Sequence, residues 1–279
     1  MARRAVAAPS PNFDARPIAT PVDILLLHYT GMETGAAAVA RLTDPDAKVS
    51  AHYTVDEDGT IFTHVPEDCR AWHAGLSYWA GARDINARSI GIEIVNPGHE
   101  FGYRSFPDAQ IEAVIQLARE LFSRHPIPPE RVLGHSDVAP ARKQDPGELF
   151  PWGELALAGI GLWPQTRKER LTVSFETGLR AFGYGLRPDM DVQTATVIEA
   201  FQRHYRPARI DGVADKDCEA ILAALLHEID FQGCSPIARG LRGAARDDKF
   251  NTRQMAGWPL VLRKKGWRKV RAPRKHGAG

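Results

Sequence analysis

The period of the apolar positions changes along this chain, and the changes divide it. Ile24-Leu25-Leu26-Leu27 is a continuous apolar run, too short for a helix, and predicts a buried strand that ends at His28. Residues 51–55 and 60–65 flank Asp56-Glu57-Asp58-Gly59, whose Asp-Gly pair predicts a hairpin turn. Residues 89–95 form another apolar strand, interrupted by the single carboxylate of Glu93. Residues 35–42 predict a short helix. Residues 108–124 carry apolar side chains at helical spacing, with Asp108 placed to cap and Pro126, Pro128 and Pro129 ending the run. Val132-Leu133-Gly134 leads into a loop at His135. Strands and helices intermix to about residue 165, so residues 21–165 predict an α/β or α+β domain. Residues 163–168 read as a linker. After them the period is helical only, in segments 174–183, 191–205 and 215–229, which predict a small helical domain over 168–231. Residues 1–20 are Pro-rich and aperiodic and read as an extended arm.

Composition narrows the class. Hydrophobic residues at 43% and charged residues at 25% are ordinary for a soluble globular protein. The net charge of +2 conceals an asymmetry: residues 235–279 hold 13 Lys/Arg against 2 Asp/Glu, so an acidic body carries a strongly basic tail. Such a tail is expected to attract an anionic polymer, with steep salt dependence. Cys69, Cys218 and Cys234 lie far apart and form no CxxC, which argues against a disulfide framework or a cysteine metal site. No stretch is apolar enough to span a membrane. The two arginines near the N-terminus precede no apolar run and no lipid-anchor cysteine follows, so the expected location is cytoplasmic, or periplasmic if a leader has been removed.

The candidate chemistry centres on Leu133-Gly134-His135-Ser136-Asp137-Val138-Ala139-Pro140-Ala141-Arg142-Lys143-Gln144-Asp145-Pro146-Gly147. An imidazole and a carboxylate suit Zn²⁺, and across a loop kinked by Pro140 the side chains of His135 and Asp145 can converge on one ion. His28 is the candidate third ligand, which would leave one coordination position for water. Glu93, in the apolar setting Ile-Gly-Ile-Glu-Ile-Val, would be costly if buried without a partner. Facing a cleft beside the ion, it could take a proton from bound water. Lys143, two residues before Asp145, could steady an oxyanion. His52, Trp72 and His73 are candidates for substrate binding, Trp72-His73 offering an aromatic plane and a ring nitrogen.

These pieces together resemble the zinc-dependent N-acetylmuramoyl-L-alanine amidases, the group related to peptidoglycan-recognition proteins. The matching segments are Pro-Ser-Pro-Asn-Phe-Asp near the start, Leu-Leu-His28-Tyr-Thr, Ser-Ala-His52-Tyr, Ala-Trp72-His73-Ala-Gly, Ser-Ile-Gly-Ile-Glu93 and Gly-His135-Ser-Asp-Val-Ala-Pro-Ala-Arg-Lys143-Gln-Asp145-Pro-Gly. The resemblance covers roughly residues 9–160. It implies a mixed β-sheet flanked by helices, with His28, His135 and Asp145 as zinc ligands, Glu93 as general base and acid, and Lys143 as transition-state stabiliser. Ala141 stands where the family more often has glycine. Residues 170–231 resemble a three-helix peptidoglycan-binding module, through Val-Ile-Glu-Ala-Phe201-Gln202-Arg203-His-Tyr and Asp211-Gly212-Val213-Ala214-Asp215. The substrate implied is peptidoglycan or a muropeptide. The rival expectation is a protein that binds muropeptides without cutting them. Since no candidate catalytic residue lies beyond Asp145, a fragment ending near Gln165 is expected to keep activity on small substrates.

Overall fold

A computed structural model of the chain describes residues 5–164, 170–186 and 192–231. The basic tail at 235–279, Cys234 and most of the expected linker lie outside the described residues. The strands are β1 (Val6–Ala7), β2 (Phe13–Ala15), β3 (Ile24–Tyr29), β4 (Tyr53–Val55), β5 (Ile61–Thr63), β6 (Cys69–Ala71), β7 (Ser89–Ile94) and β8 (Val132–Gly134). The helices are α1 (Gly35–Thr43), α2 (Ile85–Arg88), α3 (Gly98–Phe101), α4 (Asp108–Arg124), α5 (His135–Val138), α6 (Trp152–Leu157), α7 (Phe175–Phe182), α8 (Thr194–Tyr205) and α9 (Lys216–Phe231). A six-stranded mixed sheet has the order β1-β5-β4-β7-β3-β8, and β2 pairs with β6 in a separate ribbon. This is the α/β arrangement of a mixed sheet flanked by helices, with further helices after it. Among the described residues, no helix is long and apolar enough to cross a membrane.

Strand alternation explains how the central strands serve two faces. On β7, Ile90, Ile92 and Ile94 join Leu25 and Leu27 of β3 in a core with Val114, Leu117 and Leu121 of α4. The other β7 side chains, Ser89, Gly91 and Glu93, therefore share the opposite face with Ile24, Leu26 and His28 of β3. Parallel pairing sets His28 beside Glu93 in register. The hairpin forms as expected: β4 and β5 are antiparallel, and Gly59, at φ 82°, supplies the left-handed turn position. Asp108 does not cap α4. Pro107 occupies the N-cap and makes no side-chain bond, while Asp108 sits in the first turn, where a carboxylate still complements the helix dipole.

Two expectations about the chain's organisation are corrected. The N-terminal segment is no free arm. Strand β1 pairs in parallel with β5, and β2 is antiparallel to β6. Between β2 and β3, Arg16 donates from Nε to Glu67 O at 3.0 Å and from Nη1 to Asn86 O and Ala87 O at 3.0 and 2.8 Å. Its Nη2 donates to Ser89 O at 2.8 Å. The aperiodic sequence conceals this because the pairing is long-range. The helical segment, likewise, is not a separate body: its own core of Phe175, Leu179, Phe201, Ile221, Leu222 and Leu225 runs on without a break into Ile24, Leu26, Trp79, Leu133 and Val138 of the sheet domain. Trp79 lies edge-on to Tyr184 at 4.9 Å, and a Cβ at Gly183 would meet its ring at 2.5 Å. A segment of about 60 residues enlarges this core by packing on the sheet, each large apolar side chain contributing ~1.5–3 kcal/mol.

Candidate active site

Strands β3 and β8 are parallel neighbours with Leu27 opposite Gly134. Their carboxyl ends therefore present His28 and His135 side by side, where open α/β sheets generally bind ligands. The loop after α5 brings back Asp145, fastened by Ser136 N donating to Asp145 O at 3.0 Å. Gly134 admits this return, since a Cβ there would meet Pro146 at 2.8 Å. The outcome is a buried triad: the Nδ1 atoms of His28 and His135 lie 2.9 Å apart, and Asp145 Oδ2 is 3.0 and 3.1 Å from them.

The partners of the far ring nitrogens fix the tautomers. Ser89 Oγ donates to Ile85 O at 2.7 Å, so it must accept from His73 Nε2 at 3.2 Å. His73 Nδ1 is then unprotonated and accepts from His28 Nε2 at 3.0 Å. His135 Nε2 donates to Ala74 O at 3.0 Å. With both rings neutral, this pattern turns two unprotonated Nδ1 atoms toward each other and toward a carboxylate oxygen. Three acceptors within 3.1 Å have no hydrogen to share, an arrangement that a cation relieves. Burial, and the neighbouring His135, push the His28 pKa down to about 4, which keeps the ring neutral as a ligand must be.

Glu93 stands one strand away, and its Oε2 is buried without a hydrogen-bond partner. Burial first, and repulsion from Asp145 second, push its pKa up to about 8, with Lys143 acting in the opposite sense. A carboxylate oxygen without a partner, on a residue that lines the same cleft as the triad, has the chemistry a general base needs. Lys143 is half-buried and lines the same cleft of about 290 Å³.

The remaining candidates separate. Trp72 is on the cleft wall, half-buried, its Nε1 donating to Asp14 Oδ2 at 2.7 Å. His73 reaches the cleft, but both its nitrogens are committed to His28 and Ser89, so its geometry supports the ligand His28. His52 is fully buried away from the cleft lining. Its Nδ1 accepts from Gly91 N at 2.9 Å, while its Nε2 lies 3.0 Å from Arg16 Nη2 and 3.2 Å from Cys69 O. Its assignment to substrate binding is corrected: it is a core histidine whose pKa burial and Arg16 drive down to about 3. Tyr29 and Arg41 also line the cleft and were not singled out. Ser89 was missed too, although reading β7 two residues at a time from Glu93 reaches it.

Three convergent side chains that could hold a metal ion, beside an orphan carboxylate in one cleft, make a site suited to hydrolysis. A sequence profile of N-acetylmuramoyl-L-alanine amidases matches residues 18–148. The N-acetylmuramoyl-L-alanine amidase AmiD of Escherichia coli K12 is 39% identical over 232 residues, 74% of this chain and 83% of that protein. The 1,6-anhydro-N-acetylmuramyl-L-alanine amidase AmpD of Salmonella typhimurium SL1344 is 34% identical over 161 residues, 52% of this chain and 84% of that protein. Among solved structures, AmiD in complex with the substrate anhydro-N-acetylmuramic acid-L-Ala-D-γ-Glu-L-Lys superposes with a TM-score of 0.67 at 38% identity, over 76% of this chain and 92% of that one. AmpDh3 from Pseudomonas aeruginosa, in complex with anhydromuramic pentapeptide, gives 0.69 at 37% identity, over 75% and 92%. The chain belongs to the N-acetylmuramoyl-L-alanine amidase family, and it is a hydrolase of that activity.

Proposed function

We propose that this amidase is zinc-dependent and cleaves the amide between the lactyl group of N-acetylmuramic acid and L-alanine in peptidoglycan or muropeptides. The observation that carries the metal is the convergence of two imidazole Nδ1 atoms and one carboxylate oxygen within 3.1 Å of one another. Two imidazoles and a carboxylate form a known set for catalytic zinc, which leaves a coordination position for water. His28, His135 and Asp145 would hold it. When bound, it would lower the pKa of a coordinated water toward neutrality and polarise the scissile carbonyl.

This chain's own residues do the rest. Glu93, opposite the triad, takes the proton from the attacking water and returns it to the leaving amine. Its raised pKa in the metal-free site favours a proton-holding role, and a cation alongside would lower that pKa toward the working range. The Lys143 ammonium steadies the oxyanion as it forms. Trp72 offers an aromatic wall to the sugar or the stem peptide. The muropeptide assignment is supported by the solved complexes of AmiD with anhydro-N-acetylmuramic acid-L-Ala-D-γ-Glu-L-Lys and of AmpDh3 with anhydromuramic pentapeptide. A peptidoglycan-binding role for residues 170–231 rests on the sequence resemblance alone.

The test is hydrolysis of a soluble anhydro-muropeptide by the full chain, before and after chelation. Chelation should abolish the reaction, and added Zn²⁺ should restore it. Full activity in a preparation shown to be free of metal would overturn the proposal.

A further inference from the structure

The helical segment does more at the site than bury apolar surface. Asp137, two residues after the ligand His135, is buried and accepts three hydrogen bonds. One is local, from Gly134 N to Oδ2 at 2.7 Å. The other two come from the helical segment: Tyr184 Oη donates to Oδ1 at 2.6 Å and His204 Nδ1 to Oδ2 at 2.7 Å. His204 is itself held between flat rings, stacked on Trp152 at 3.7 Å and on Tyr205 at 3.9 Å. The preceding residue of α8, Arg203, forms an ion pair at 3.9 Å with Glu148, three residues beyond the ligand Asp145. Glu148 in turn bonds His99 Nε2 at 3.1 Å, and His99 Nδ1 lies 3.0 Å from the hydroxyl of Tyr29, the neighbour of His28.

Two adjacent residues of one helix thus stand at both ends of the loop that carries two of the three ligands, His204 by a hydrogen bond to Asp137 and Arg203 by a longer charge contact to Glu148. A one-turn helix such as α5 has little stability of its own. Its angle, and with it the aim of His135, depends on what holds Asp137. We propose that α8 is a positioning element for the metal ligands, with Asp137, His204 and Tyr184 as positioning residues and Arg203–Glu148 as the second attachment. The proposal rests on the metal-centre reading above. It gives the helical segment a role at the reaction centre that is separate from any affinity for cell wall.

The experiment uses the full chain loaded with Zn²⁺ and measures two quantities for each variant: the rate of zinc release to a chromogenic chelator, and the melting temperature of the metal-free protein. His204→Phe keeps the ring stack and removes the donor to Asp137. His204→Asn keeps a donor near the Nδ1 position and loses the stack. Tyr184→Phe removes only a hydroxyl. Leu225→Ala, at a fully buried position in the shared core, is the control for general loosening. Support for metal ligands from groups beyond them is worth ~10–100-fold in metal affinity, so His204→Phe and Tyr184→Phe should release zinc about tenfold faster. His204→Asn should recover slow release despite a lower melting temperature, and Leu225→Ala should melt lower with release unchanged. If release rates simply followed melting temperature through all four variants, or were unchanged in both His204→Phe and Tyr184→Phe, the positioning role would be overturned. Should His204→Phe fail to fold, Tyr184→Phe decides alone. A wild-type chain that takes up no zinc would fail the metal reading first, and this proposal with it.

Discussion

Replacing Glu93 by Gln should make the metal-free protein more stable and the enzyme far slower, and the stability gain should appear only at higher pH. In the metal-free fold the Glu93 pKa rises from 4.5 to about 8. The folded chain therefore keeps a proton that the unfolded chain releases anywhere between those values. Below about pH 4.5 both states are protonated and the buried acid costs nothing extra. As pH rises through the window the unfolded state gains relative to the folded one, so stability falls and then levels off above about pH 8. At about 1.4 kcal/mol per pKa unit the full loss is at most ~5 kcal/mol. The side chain borders a solvent-filled cleft, and allowing for that screening leaves roughly 2 kcal/mol. Gln does not titrate and has nearly the same shape. Urea unfolding of chelator-treated wild type and Glu93→Gln at pH 4.5, 6.5 and 8.5 should therefore give curves that nearly coincide at the lowest pH and diverge by about 2 kcal/mol at the highest. Saturating zinc should narrow the gap, because the cation favours the carboxylate. Hydrolysis should fall ~10²–10⁴-fold with zinc still bound. A stability difference that did not change with pH would refute the assignment of a buried, proton-holding Glu93.

Other outcomes follow from the same geometry. His28→Ala, His135→Ala and Asp145→Ala should each lower zinc content sharply by elemental analysis, whereas Lys143→Ala should keep zinc and lose rate chiefly in kcat. Gly91→Ala would set a Cβ 2.6 Å from the His73 ring. It should therefore destabilise the fold by ~1–3 kcal/mol in denaturant titration and weaken zinc binding by displacing the partner of His28. Removal of everything after Gln165 would expose Trp79, Leu133 and Val138 and strip Tyr184 and His204 from Asp137. That fragment should melt well below the full chain and lose activity on soluble and insoluble substrates alike, contrary to what the sequence alone suggests. Unchanged soluble activity would favour independent domains.

The candidate triad was legible because His28 and His135 sit at the ends of β3 and β8 and Asp145 lies in the distinctive loop that follows, so that one short return brings the three together. Glu93 was legible from its apolar neighbours, since a lone carboxylate on a central strand needs a reason. What could not be read were roles assigned by contacts distant in sequence. His52 and His73 occupy similar settings as text. Only the fold shows that Arg16 and Cys69 close around the first and that Ser89 turns the second toward His28. Asp137 looks like one more loop carboxylate until residues from α8 and the turn after α7 arrive at it.

The placement of Arg16 bears on where a working fragment of this enzyme has to begin. The family profile matches only from residue 18, after β1, β2 and Arg16 itself. A fragment cut at that boundary would leave the carbonyls of Glu67, Asn86, Ala87 and Ser89 without the guanidinium that gathers them. Three of them, Asn86, Ala87 and Ser89, lie in α2 and at the start of β7, the strand that carries Glu93 at its far end, and the fourth, Glu67, lies just before β6. Expression designs, deletion series and fusion junctions should thus be set ahead of Val6, because an insoluble product from a cut at residue 18 would report a missing arginine and not a defect in the catalytic residues.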